Sequence, residues 1–267
     1  MSKESIISSE SNGQIKEIIK LQKQARERKK TKKFVVEGIK MVQEAINFKK
    51  LDKMYVSESA LEKTAQSIGK KIEKIPYEIV ADNVFRQISD TVTPQGVLAV
   101  VNMPEYDIKD ILSDDRKSWI LLDDLRDPGN LGTIVRTSEG AGMSGVIMSK
   151  ESVDLFNPKV VRSTMGAIFR VPFCYVQSLI GVIDEIKSAG YEVFATAMEG
   201  SEVYDCIDYT NGAAFIIGNE ANGVSDEVFE KASKRIRIPM EGKLESLNAA
   251  VSAAIIMYEI ARQKRGK

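Results

Sequence analysis

The residues of this 267-residue chain that could do chemistry gather in three separated stretches, and none of them is histidine, because the sequence has none. That absence removes Ser-His-Asp and Cys-His catalysis, histidine-ligated metals and imidazole bases together. Carboxamides, carboxylates, hydroxyls and guanidinium groups are left. The first stretch, LLDDLRDPGNLGTIVRTSEGAG from Leu121 to Gly142, places Asn130 at a predicted helix start, where its side chain could cap free backbone N–H groups, and Arg136 about two turns further in. The second, AAFIIGNEANGVSDEVF over 213–229, runs an apolar strand into a polar loop in which Gly218 permits close backbone approach. There Glu220 supplies a carboxylate and Asn222-Gly223 a turn. The third is RIRIPMEGKLESLNAAVSAAIIMYEIARQKRGK. It reads as a strand, a loop and a final helix with Ser246 as N-cap, Leu247 and Asn248 in the first turn, and a narrow face of Ala249, Ala250, Ala253 and Ala254. Taken singly, each stretch is also compatible with an ordinary capped helix or strand-to-helix loop.

The elements that must position these residues follow from periodicity. From Trp119 onward, strands are expected at 119–124, 145–149, 171–176, 191–197, 213–218 and 235–239, with helices at 131–141, 157–168, 179–189, 225–232 and 246–263. Several of the strands are apolar almost throughout, the pattern of a parallel sheet covered on both faces. Gly140, Gly142 and Gly145 fit G-x-G-x-x-G but close a helix and lead into a strand. A dinucleotide fingerprint has the opposite context, so these read as cap and turn glycines. N-terminal to Asn102, the segments FVVEG, MYVS, IPYEIV and QGVLAVV alternate with helical spacing at 39–48, 61–68 and 83–88, which implies a second, smaller α/β layer. The polar stretch 102–117 separates the two patterns and marks a domain boundary.

The whole chain sets outer bounds. It carries 38 basic and 38 acidic residues, so no global field marks a nucleic-acid or membrane binder. There is no signal-type apolar segment and no run long enough to span a bilayer, so a soluble, cytoplasmic protein is expected. Cys174 and Cys206 have no C-x-x-C partner and read as buried thiols. Residues 1–12 are polar and are expected to fray. Charge is nonetheless uneven. Between Gln14 and Lys33, apolar Ile15, Ile18, Ile19 and Leu21 alternate with Lys16, Lys20, Lys23, Arg26, Arg28, Lys29, Lys30, Lys32 and Lys33, opposed only by Glu17 and Glu27. Such a surface suits phosphates, since each one neutralised releases counterions. The alternative is a solvated helix end.

In this order and at these separations, NLGTIVRT, then IIGNEANGVS, then IPMEGKLESLNAAVSAAI closely resemble the motifs of the SpoU (TrmH-like) branch of the SPOUT RNA 2′-O-ribose methyltransferases. The likeness covers about residues 118–263. The N-terminal part, from NGQIKEIIKLQKQARERKKTKKFVVEG onward, resembles the RNA substrate-binding domain of ribosomal-RNA members. The resemblance implies an α/β chain in two parts: a small ribosomal-protein-like substrate-binding domain over 1–103, a linker over 104–117, and a SPOUT methyltransferase domain over 118–267. The second domain would have a mostly parallel sheet and a C-terminal trefoil knot, an exception to the rule against knots. It also implies S-adenosyl-L-methionine as cofactor, held by Thr196, Ala197, Gly218, Asn219, Ile238, Met240 and Leu247, with no metal.

By the same resemblance Arg136 is the catalytic residue, oriented together with the ribose by Asn130, Glu220, Ser246 and Asn248. Arg136 would act either as a base or as a charge that stabilises the developing alkoxide. RNA would be met by Lys23, Arg26, Arg28, Lys29, Lys30, Lys32 and Lys33. A homodimer through the C-terminal domain is implied, with the active site often drawing on both protomers, although the alanine-rich helix suits intramolecular packing equally. The expected substrate is 23S ribosomal RNA. The competing readings are a tRNA 2′-O-methyltransferase, a non-catalytic RNA-binding factor that keeps the fold, and a generic cofactor-binding α/β enzyme.

Overall fold

Residues 6–197 and 202–266 are described by the computed structural model. The chain divides into two units, Met1–Pro104 with Phe156–Phe169, and Glu105–Leu155 with Arg170–Lys267. In the first, α1 (Gly13–Lys23), α2 (Ala25–Thr31), β1 (Lys33–Glu37), α3 (Ile39–Asn47), β2 (Leu51–Ser57), α4 (Leu61–Ile68), β3 (Tyr77–Val80), α5 (Asp82–Ile88) and β4 (Val97–Asn102) build a four-stranded mixed sheet in the order β1-β4-β2-β3. The apolar positions of α1 that recur at helical spacing, Ile15, Ile18 and Leu21, are fully buried with Val35, Tyr55, Leu98 and Val100. The described part of the N-terminus is not frayed. Ile7 is buried, its N–H donates to the Ile79 carbonyl and its carbonyl accepts from Ala81 N–H, while Asn12 caps α1 by accepting from Gln14 N–H. A single buried isoleucine extends the sheet edge where average composition suggested only a polar tail. Residues 1–5 of that expectation lie outside the described residues.

The second unit begins earlier than expected. Inside the supposed linker lies α6 (Ile108–Ser113), capped by the Asp107 side chain; Ile111 is buried and its carbonyl accepts the Trp119 indole N–H at 2.8 Å. Two or three apolar residues in a polar stretch are enough for one amphipathic turn. Then follow β5 (Ser118–Leu122), α7 (Pro128–Ala141) and β6 (Gly145–Ser149). The helix expected over 157–168 is shorter, α8 (Pro158–Ser163), because Met165 and Gly166 take positive φ values of 50° and 92° and end it. It belongs to the first unit, not to the domain assigned from sequence: the rings of Phe156 and Phe169 lie 4.9 and 6.1 Å from that of Phe34 on β1.

The chain continues through β7 (Phe173–Val176), α9 (Leu179–Ser188), β8 (Glu192–Thr196), β9 (Glu202–Val203), β10 (Ala213–Ile217), α10 (Asp226–Lys231), β11 (Lys234–Arg237) and α11 (Ala249–Arg265). The seven strands pair in the order β7-β6-β5-β10-β8-β11-β9, with every described pair parallel. Every residue of β5, β6 and β10 is buried, as a sheet covered on both faces requires. Cys206 is exposed and Cys174 only half-buried, against the expectation of two buried thiols. Among the described residues no helix is long and apolar enough to cross a membrane.

Arg28 corrects the reading of the basic segment. It is 3% exposed, and its guanidinium donates to the carbonyls of Leu21 and Gln22 at 2.7 and 3.0 Å, where α1 gives way to α2. The break at Gln24 turns α2 so that Arg28 reaches back onto the end of α1, where it stabilises the helix junction and does not face a ligand. Arg28→Ala is expected to lower the unfolding free energy by about 1–3 kcal/mol, read from a shifted urea midpoint, because two carbonyls lose a charged donor.

Candidate active site

Because the strands run parallel, the loops after β8, β10 and β11 leave the sheet at one end, where ligands of open α/β sheets bind. A cavity of about 690 Å³ opens there. It is lined by Thr196 and Ala197 after β8, Ile217 to Gly223 after β10, Ile238, Met240 and Glu245 to Asn248 after β11, and Ser252 and Ile256 from α11. All seven residues expected to hold a cofactor are on this wall. Ser252 and Ile256 escaped the sequence reading, although they lie four and eight residues beyond Asn248, on the same side of a helix.

The loop after β10 is the most constrained. Asn219 and Gly223 exchange backbone hydrogen bonds, both 2.9 Å, and fold the segment back on itself. A Cβ on Gly218 would lie 2.1 Å from the Gly223 carbonyl carbon, so only glycine fits. The Asn219 carboxamide accepts from the N–H groups of Ala221 and Asn222 and donates to the Asp124 carbonyl at 2.9 Å. Asp123, buried at the end of β5, accepts from the N–H and hydroxyl of Ser225 at 2.8 and 2.7 Å. The loop after β10 is thereby fastened to the segment after β5.

A second set of bonds joins all three motif stretches. Glu220 accepts from the N–H groups of Arg126 and Asp127 and, at 2.9 Å, from the Asn130 carboxamide nitrogen. The Asn130 oxygen accepts from Asn248 at 2.9 Å, and the Asn248 oxygen accepts from Ala250 and Val251 N–H at the start of α11. Two caps differ from expectation. Asp127, not Asn130, caps α7, accepting from Asn130 N–H, and Asn248, not Ser246, caps α11. Asn130 is thus inside the first turn with its side chain released for Glu220 and Asn248. Ser246 lines the cavity two residues before the cap. Burial pushes the Glu220 carboxyl up, but the hydrogen bonds from Asn130, Asp127 and Arg126 outweigh it and hold the group below its ordinary value.

Arg136 stands apart. It lies six residues beyond Asn130 on α7, about 9 Å along the axis and roughly 120° around it, and it is not on the cavity wall. It is exposed, and among the described residues its guanidinium has no hydrogen bond or ion pair. Asn130, Glu220, Ser246 and Asn248 therefore do not orient it within one protomer. Of the basic residues expected to meet RNA, Lys23, Arg26, Lys29, Lys30 and Lys32 are exposed, while Lys33 is half-buried and pairs with Asp52 at 2.8 Å. No group of three potential metal ligands occurs among the described residues.

Comparison with known proteins follows the same division. Residues 117–258 match the SpoU rRNA Methylase family, and residues 12–99 match an MRM3-like substrate binding domain. The 23S rRNA (guanosine(2553)-2′-O)-methyltransferase RlmP of Bacillus subtilis is 35% identical over 255 residues, 95% of this chain and 98% of that protein. The AdoMet-bound rRNA methyltransferase from Sinorhizobium meliloti superposes with a TM-score of 0.84 at 31% identity, covering 97% of each chain. The SpoU methyltransferase AviRb from Streptomyces viridochromogenes, in complex with AdoMet, gives 0.85 at 26% identity over 95% of this chain and 98% of that one.

Gly218→Ala is expected to abolish cofactor binding in calorimetry while the global melt stays cooperative, since the clash is confined to one loop. The Glu220 clamp is fully present above the ordinary carboxylate range and is lost as pH falls through the lowered value. Relative to the intrinsic rate at each pH, protection of the Arg126 and Asp127 amides should fall on acidification in the wild type and lose this pH dependence in Glu220→Gln.

Proposed function

The chain belongs to the SpoU rRNA methylase family, and from that premise we propose that it transfers the methyl group of S-adenosylmethionine to a ribose 2′-hydroxyl of RNA, with 23S ribosomal RNA the substrate. The observation that carries this reading is the convergence of the three motif stretches on one cavity through Glu220, Asn130 and Asn248. The cavity fits the cofactor. Its volume is within the usual range for small-molecule sites, roughly 300–1,000 Å³. Apolar Ile238, Met240 and Leu247 stand beside loop backbone, as an adenine that is both stacked and hydrogen-bonded needs, and the bare Gly218 leaves room for close approach. The sulfonium of the bound cofactor supplies a methyl already activated for displacement.

The protein's part is to align the hydroxyl and to handle one proton. The oxygen–methyl bond forms as the carbon–sulfur bond breaks, the sulfur keeps the electron pair, and the hydroxyl proton leaves to an RNA phosphate or to water. A guanidinium is a poor base because it stays protonated at working pH. Arg136 therefore acts as a fixed positive charge that stabilises the developing alkoxide and grips an adjacent phosphate. Since Arg136 does not line the cavity of its own chain, we place it in the site of a second copy. Support comes from α11, which packs on α7 and leaves Val251 and Tyr258, seven residues apart on one stripe, each 47% exposed beside the α7 surface. A homodimer that covers this face would bring Arg136 to the partner's cavity. The order of β5, β10, β8 and β11 and the doubled-back loop after β10 suit the trefoil knot of this fold, with 238–248 as the threaded segment. Ribosomal RNA is favoured because similarity to the Bacillus subtilis enzyme spans both units.

Arg136→Ala should abolish methyl transfer to ribosomal RNA while cofactor affinity stays within a few-fold. Co-expression of Arg136→Ala with Gly218→Ala chains separates the two geometries. A shared site regains activity in the mixed dimer, because one cavity and one arginine remain intact across the interface. A site within one protomer stays dead. Neutralising Lys29 and Lys30 is expected to weaken RNA binding and lower its salt slope by about 2.

A further inference from the structure

At one end of the first sheet two lysine-bearing turns are clamped side by side. The N–H of Met103 donates to the Lys32 carbonyl and that of Asn102 to the Lys50 carbonyl, both at 2.8 Å, so the turn entering β1 and the turn entering β2 flank the last residues of β4. Each turn holds a lysine in the left-handed region, Lys32 at φ 57° and Lys49 at φ 54°. Helix C-termini usually place glycine there, because a side chain crowds the backbone in this conformation. In the second turn the Lys50 N–H reaches back to the Ala45 carbonyl and closes the end of α3, which fixes where Phe48 and Lys49 point.

Phe48 is the aromatic of this end. Its ring lies nearly parallel to that of Phe169, 14° between planes and 6.1 Å between centroids, yet the residue is 41% exposed. A phenylalanine supported on one side and open on the other is a poor surface for water and a ready one for a flat apolar partner. Lys49 follows it and is exposed, and Lys29 and Lys30 end α2 ahead of the turn at Lys32. Among the described residues none of these three side chains has an ion pair. An open aromatic face next to an unneutralised ammonium group suits a ligand that alternates apolar planes with negative charges, which a nucleic-acid strand with an unstacked base does and a paired duplex does not.

We propose that Phe48 stacks an unpaired base of the RNA substrate while Lys49 holds an adjacent phosphate, so that this unit selects looped or single-stranded RNA. The inference rests on the RNA-directed function proposed above and adds the kind of RNA structure recognised.

The test uses the full-length protein and two RNA probes of equal length, a hairpin with 2-aminopurine in its loop and a fully paired duplex. Binding is expected to quench the loop fluorophore. Phe48→Leu should weaken hairpin affinity roughly tenfold, in line with the loss of one stacked base, remove most of the quenching, and leave duplex affinity unchanged. Phe48→Trp should keep both affinity and quenching, which guards against a trivial folding defect. Lys49→Gln should lower the salt slope for the hairpin by about 1. The proposal is overturned if Phe48→Leu binds both probes as the wild type does, if it weakens them equally, or if it alters only the sedimenting mass. Cofactor calorimetry and methyl transfer by the wild type, run in parallel, tell a failure of this contact from a failure of the enzymatic assignment.

Discussion

Loops that leave three different strands share a cavity only if their polar groups hold one another, and here two carboxamides and a carboxylate do that. Asn130 gives its nitrogen to Glu220 and its oxygen to Asn248, and Asn248 spends its own oxygen on the first amides of α11. The polarity runs one way along the chain of bonds, which explains the residue types. An aspartate at 130 would set oxygen against the Glu220 carboxylate, and a leucine would leave Glu220 and Asn248 without their partner. The position of the final helix, and with it Ser252 and Ile256 on the cavity wall, depends on this connection.

The same economy appears around the loop after β10. Asp123 and Asn219 are ordinary polar residues whose bonds tie that loop to the end of β5. Gly218 contributes only its missing side chain. The cavity is preorganised by backbone and short polar side chains, which suits the binding of a flat heterocycle without bulky, flexible groups. Arg136 is exposed on α7 and does not line that cavity.

The balanced charge of the whole chain hides a divided surface. Lys49 projects from a turn at one end of a small sheet and Lys29 and Lys30 from the last turn of α2, whereas Arg28, one residue away from Lys29, is turned inward to serve two carbonyls. Net charge does not distinguish the two uses, but helical phase does.

What the sequence determined by itself was local or statistical. The apolar runs of β5, β6 and β10 implied a parallel sheet covered on both sides, Asp127-Pro128-Gly129-Asn130 marked a strand-to-helix turn, and the three motif stretches together resembled a methyltransferase family. The absence of histidine excluded whole classes of mechanism. What only the tertiary structure decided was partnership: that Asp127 and Asn248 are the caps, that Arg28 is structural, that α6 and Trp119 share a core, and that the segment 156–169 belongs with the first unit. The reason is distance along the chain. Asn130 meets Glu220 and Asn248 across 90 and 118 residues, and over such separations any of several nearby Asn, Ser or Asp side chains satisfies the local pattern equally well until the fold brings one of them within hydrogen-bonding reach.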